Sequence, residues 1–181
     1  MRKTNDILNK FAGDSGSQIW GLATVPDNWI NQLKTYRKII LDDGETALMY
    51  IMTLALFIEL LAVRIDDLVD EKERDIVEKK TLDRILDLFK IVNFDSLKDA
   101  KGADKKAEFI SKTITDVINN SKKEQNENGY TIPEIYTQFF VNSHTFSKKI
   151  PKDILAEYVK AKIELFEKQN FRGKLEDKLE Y

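Results

Sequence analysis

Hydrophobic positions along the chain form one continuous block flanked by periodic stripes. The block runs from Ala47 to Val63 (ALMYIMTLALFIELLAV) and is interrupted only by Thr53 and Glu59. Wound into a helix it keeps no polar face, so it is either the buried centre of a globular domain or a membrane span. A span takes about 20 apolar residues. This run is shorter, carries a carboxylate, and is followed by Arg64, Asp66 and Asp67. The expectation is a central helix wrapped by others, with no membrane as partner.

The stripes all have helical spacing. Thr4 is placed to cap a first helix carrying Ile7, Leu8 and Phe11. Gly13 is expected to stop it and to open an irregular stretch reaching Pro26. Asp27 then caps a second helix, with Trp29, Leu33, Tyr36 and Ile40 on one face. Asp42-Asp43-Gly44 breaks that helix, and Asp43 is placed to cap the central one near Glu45. Continued to Lys80, the central helix would be about 54 Å long, against a radius of gyration of roughly 16 Å for a compact chain of this size. A break or a protruding end within 70–81 is therefore expected, with a new helix from Thr81 bearing Leu82, Ile85, Leu86, Phe89 and Val92. A short piece over Ser96–Lys101 ends at Gly102. Asp104 to Asn120 carries Ala107, Ile110, Ile114, Val117 and Ile118, and the polar SKKEQNENG that follows suggests a flexible connection at 121–130. Thr131 and Glu134 have capping-box spacing before Ile135, Tyr136, Phe139 and Phe140. Pro151 opens a last long helix with Leu155, Tyr158, Val159, Lys162 and Phe166, which Phe171-Arg172-Gly173 ends before a charged tail. No alternating pattern of useful length occurs. The fold expected is a single all-α domain, a bundle of six to eight helices around a buried central hydrophobic helix.

Composition narrows the function classes. Net charge is −2 over 181 residues, so no strong field advertises nucleic acid or an acidic surface. Cysteine is absent, which removes disulfides, thiol catalysis and cysteine metal sites. The basic start MRKTNDILNK lacks the apolar segment of a secretory signal, so a cytoplasmic protein is expected. Lysine far outnumbers arginine, as in AT-rich bacterial or viral genomes.

Candidate chemistry is sparse. Gly13-Asp14-Ser15-Gly16 resembles the segment around the nucleophile of trypsin-like serine proteases over four residues. Those enzymes need a histidine base and an aspartate earlier in the chain on a β fold. The only histidine here, His144, lies far downstream and reads as a cap or loop residue. Asp66, Asp67 and Asp70 stand within one helical turn and are the candidate ligands for a hard cation such as Mg²⁺. This spacing is similar to the diphosphate-binding motif of prenyl transferases and terpene synthases. Together with Glu164-x-x-Glu167 it also resembles, in reversed chain order, the acidic pairs of the all-α nucleotide pyrophosphohydrolases. The resemblance implies a metal-dependent hydrolase. With 31 acids in the chain, such pairs also arise by chance. Glu59 is expected to pair with a lysine or arginine of a neighbouring helix, the alternatives being that it faces the acidic cluster or reaches solvent at the edge of the bundle. Lys105-Lys106, Lys122-Lys123 and Lys148-Lys149, with Phe109, Phe139, Phe140 and Phe146 near them in sequence, suggest a third possibility, a groove lining nucleic acid.

The leading expectation is a non-enzymatic helical module, an accessory or inhibitor protein that binds another protein or a second copy of itself, without a cofactor. The candidate contact is the stretch Gly13–Pro26, where Ile19, Trp20 and Leu22 form a costly set to leave in water. The competing account seats Trp20 against the helix holding Trp29. Nucleic acid and membrane are not expected as partners.

Overall fold

A computed structural model describes residues 2–24, 32–35, 37–91 and 103–180. Among these residues there are eight bounded helices and no strand: α1 (Arg2–Thr24), α2 (Asp43–Arg64), α3 (Glu71–Ile91), α4 (Ala103–Asn128), α5 (Ile132–Asn142), α6 (His144–Ser147), α7 (Lys152–Glu167) and α8 (Phe171–Leu179). The chain is all-α, and its apolar block is the buried element.

Helix α2 begins one residue earlier than the sequence suggests. An N-cap carboxylate reaches the amide three residues on, and that pairing joins Asp42, not Asp43, to Glu45. Asp42 accepts from the Glu45 amide at 2.8 Å, and the Glu45 side chain accepts from the Asp42 amide at 3.0 Å. With its flanks the helix has 22 residues, long and apolar enough to cross a membrane by length and composition. Yet 78% of its most apolar window is buried by other helices. It touches α1, α3, α4, α5, α7 and α8. Every residue from Ile51 to Ala62 is buried, each large apolar one contributing roughly 1.5–3 kcal/mol. Thr53 escapes penalty by donating to the Met49 carbonyl at 2.7 Å and sharing a 2.7 Å hydrogen bond with the Tyr158 hydroxyl.

The largest departure from expectation is α1. The stretch from Gly13 is not a loop: helix continues unbroken to Thr24. Leu8, Ala12, Ser15, Ile19 and Ala23, at spacings of four, three, four and four, are all buried, so one stripe runs the whole length. Small residues in its middle set a close crossing with α3, the helix against which α1 packs most extensively. A Cβ on Gly16 would lie 2.9 Å from the Arg84 Cβ and 3.0 Å from the Thr81 carbonyl oxygen. The protease-like tetrapeptide is thus a helix-packing patch.

Other boundaries shift for local reasons. Of the expected second helix, Asp27, Trp29 and Tyr36 lie outside the described residues, and 32–35 is helical with Leu33 buried. It ends before Ile40. Lys38 takes a left-handed conformation, φ 54°, and the Ile39 amide donates back to the Leu33 carbonyl at 2.9 Å, an end usually made with glycine. The break after α2 comes at 65–70, before the expected interval, because Asp70 caps α3. Its carboxylate accepts from the Glu73 amide at 2.8 Å, and Glu73 accepts from the Asp70 amide at 3.1 Å. DEKERDIVEKK therefore opens α3, and Thr81 is buried in the middle of it. Val92 and the 96–102 piece lie outside the described residues. The polar 121–128 segment continues α4, with Ser121 buried on its inner face, and the turn falls at Gly129, φ 67°. Thr131 caps α5 as expected, and Pro151 takes the N-cap of α7, just ahead of the first helical turn where the sequence places it. Phe171-Arg172-Gly173 starts α8 instead of ending a helix: Asn170 accepts from the Gly173 amide at 3.2 Å, and Phe171 and Leu175 enter the core.

Candidate functional site

The acidic trio is placed first, because the enzyme reading depends on it. Asp66, Asp67 and Asp70 stand in a turn rather than on a helix face, and each has a separate task. Asp66 pairs with Arg74, Asp67 with Arg172, and Asp70 caps α3. The Arg172 guanidinium holds the Asp67 carboxyl below its usual range. Glu167 is forked on Arg64, with the guanidinium Nε 2.8 and 2.9 Å from its two carboxylate oxygens, and Glu164 is exposed. Among the described residues no three of His, Cys, Asp and Glu converge in a way that would hold a metal ion. The arrangement ties the end of α2 to α7 and α8.

The nucleic-acid elements are dispersed in the same way. Lys122 turns to Glu78 at 3.9 Å, and Lys149 pairs with Glu45 and donates to the Ile40 carbonyl at 3.2 Å. Phe140 and Phe146 are buried and stack on each other, ring centroids 5.6 Å apart. The Lys105 side chain lies outside the described residues, and His144 is exposed at the first position of α6.

Of the residues expected to meet a partner, Ile19 is fully buried and Leu22 half-buried against the core. Trp20 is half-buried too, its ring edge-on to Phe89 of α3 at 4.5 Å between centroids. The helical continuation of α1 supplies this seat, so Trp20 packs within the fold, on α3. Trp20→Ala is accordingly expected to destabilise the protein by about 1.5–3 kcal/mol, somewhat below the cost for a fully buried ring. That corresponds to a melting temperature lower by about 4–9 °C. A variant that melts with the wild type would show that the ring contributes nothing to the fold.

Two of the concavities bear on what the chain could bind. The larger, about 1020 Å³, lies between α2, α4 and α5. Its floor is apolar, with Leu48 and Met52 from α2, Val117 from α4 and Phe139 from α5. Thr131 caps α5 and Pro133 stands in its first turn, with half-exposed Tyr130 just ahead of them. The charged residues on its wall are Glu124 and Glu134, both acidic. Sequence reading did not find this groove. Its floor residues fall on three separate stripes, each of which reads as ordinary core.

The smaller, about 190 Å³, is polar and lies where α3 and α4 meet Glu59 of α2. Glu59 is 3% exposed. Its Oε1 accepts from the Gln125 amide at 3.3 Å, and Gln125 also donates to Ser121 Oγ at 3.2 Å. The expected lysine or arginine partner is replaced by this amide. Glu59 Oε2 and the buried Tyr136 hydroxyl have no partner meeting hydrogen-bond geometry. They lie close enough that each affects the other's proton affinity. Burial pushes the Glu59 carboxyl above its ordinary 4.5, and the Tyr136 phenol, Ser121, Lys122 and Gln125 oppose it. Asp66 is on the wall of the same cavity.

Comparison with known proteins finds no matching family model, no matching curated protein and no matching solved structure.

Proposed function

We propose that the chain is a non-enzymatic protein-interaction module, and that its docking surface is the groove between α2, α4 and α5. The carrying observation is the chemistry of that groove: an apolar floor of Leu48, Met52, Val117 and Phe139 under a wall whose charges are both acidic, Glu124 and Glu134. Charge complementarity selects the occupant, a basic amphipathic segment of another protein that lays its apolar face on the floor and its lysines or arginines against the wall. A groove of this kind binds by side-chain burial and needs no catalytic group, which suits a chain whose Asp66, Asp67 and Asp70 are committed to two ion pairs and a helix cap.

The test is photo-crosslinking inside the cells from which the gene comes. A photoreactive residue is placed at Thr137, which lines the groove, with Asp87 on α3 as the control position. The expected result is a crosslink from position 137 alone, to a segment of another protein rich in lysine or arginine with apolar residues at helical spacing. Val117→Glu should abolish it while leaving the circular dichroism unchanged. A crosslink to a second copy of this chain, to an acidic segment, or from both positions equally would overturn the proposal.

A further inference from the structure

The acids of the α2–α4–α5 groove are not spread along it. Glu124 lies one turn before the end of α4 and Glu134 in the first turn of α5, so the two flank the connection at Gly129. Half-exposed Tyr130 stands at the same end and adds an aromatic surface, which favours a cation. The polar lining elsewhere is uncharged. Asn120 comes one turn earlier on α4, and Gln138 and Asn142 come one and two turns later on α5. Away from the connection, along either helix, the wall therefore passes from carboxylates to amides.

Neither carboxylate is neutralised. The Asn128 amide donates to Glu124 at 2.6 Å but brings no charge. Among the described residues neither Glu124 nor Glu134 joins an ion pair. Glu45 and Asp67, near the two ends of α2, are by contrast held by Lys149 and Arg172. At the uncharged end the amides satisfy each other, Asn142 donating to Gln138 at 3.1 Å.

Given that this groove is the docking surface, we propose that it fixes the polarity of its occupant: the lysines or arginines of the docked segment lie at the Glu124–Glu134 end, and an uncharged part of it at the Asn142 end. The apolar floor cannot choose between the two directions, because burial of apolar surface is non-directional. Charge can. Glu134 and Asn142 are about 12 Å apart along α5 at 1.5 Å per residue, more than the Debye length of about 8 Å at physiological ionic strength. A segment docked in reverse would hold its cations beyond reach of the carboxylates and gain little from them. Chain direction then follows from where in the segment the basic residues fall.

The probes are two synthetic amphipathic peptides of about three helical turns with leucines at helical spacing. One carries all its lysines in the first turn, the other in the last, and each bears a nitroxide at its lysine end. Both are expected to give saturable shifts of groove amides. Both should broaden the Thr131 and Glu134 amides more than those of Asn142 and Ser143, so that the two peptides lie in opposite chain directions. The double change Glu124→Gln and Glu134→Gln should weaken binding about three- to tenfold and make the two ends broaden alike. Glu127→Gln, at an exposed position of α4 outside the groove, should change neither. Wild-type protein supplies a second readout, since raising the salt concentration should reduce both affinity and the contrast between the ends. Equal broadening at both ends, one chain direction for both peptides, or a contrast that survives the double change would overturn the polarity and leave the docking surface standing. No saturable shift with either peptide would overturn both.

Discussion

Gly16→Leu is expected to be among the most damaging single changes in the N-terminal half of this protein. The glycine sits where α1 crosses α3, and even a methyl group there would meet the Arg84 Cβ at 2.9 Å and the Thr81 carbonyl oxygen at 3.0 Å. Backbone cannot step aside as a side-chain tip can. The helices would have to separate, loosening Ile19, Ala12 and Ile85, all buried. Overpacking of this kind costs about 1–3 kcal/mol for a small excess and more for a bulky one, or about 3–9 °C and upward in melting temperature. Gly16→Ala should fall by less, because alanine recovers about 1 kcal/mol of helix propensity. Gly13 and Gly21, on the same helix, have nothing within 4 Å of a built Cβ. Changing either to alanine should raise stability by about 0.5–1 kcal/mol. Thermal melts of the four variants measure both signs. If Gly16→Ala and Gly13→Ala behaved alike, the close crossing would be refuted.

That contrast shows why the sequence misread α1 while placing α2 well. A buried helix that is apolar all round announces itself by composition, and Ala47–Val63 needs no knowledge of its neighbours. The α1 stripe is written partly in Ala12, Ser15, Gly16 and Ala23, residues whose role is to be small. Smallness reads as a loop until the partner helix is known. The periodicity was nevertheless present, since Leu8, Ser15, Ile19 and Ala23 continue one face through the glycines. The segment 121–128 fails in the same way. Its polar composition suggests a linker, whereas only Ser121 and Gln125, one turn apart, face inward, and they do so to meet Glu59. The acidic trio could not be resolved from sequence either. Whether Asp66, Asp67 and Asp70 share an ion depends on where Arg74 and Arg172 lie, and Arg172 is more than a hundred residues away. The α2–α4–α5 groove is likewise the product of three helices meeting, with no local signature.

Lys162→Glu is expected to be worse still, and it reads out a contact that a helical-wheel view disguises. Lys162 lies on the apolar stripe of α7 between Tyr158 and Phe166 and is only 5% exposed. Its ammonium donates to the Leu22 carbonyl at 3.0 Å, in the last turn of α1, and stands 5.6 Å from the centre of the Tyr158 ring. Carbonyls in the last turn of a helix have no intrahelical donor and carry the negative end of the helix dipole. A buried cation there satisfies one of them and compensates that dipole. The Tyr158 hydroxyl in turn meets Thr53 of α2 at 2.7 Å, so α1, α7 and α2 are joined through one polar chain. A glutamate at 162 would set a desolvated carboxylate against the same carbonyl. The expected cost is about 3–5 kcal/mol, the range for stranding a buried charge. Lys162→Met keeps most of the volume and removes the desolvated charge. It also leaves the Leu22 carbonyl unmet, so its cost should be nearer 1–3 kcal/mol. Urea titrations separate the two, since the midpoint should fall in the order wild type, methionine, glutamate with little change in slope. A methionine variant as stable as wild type would mean that the carbonyl is met some other way. A glutamate variant no worse than methionine would mean that the ammonium does not act on the α1 terminus at all.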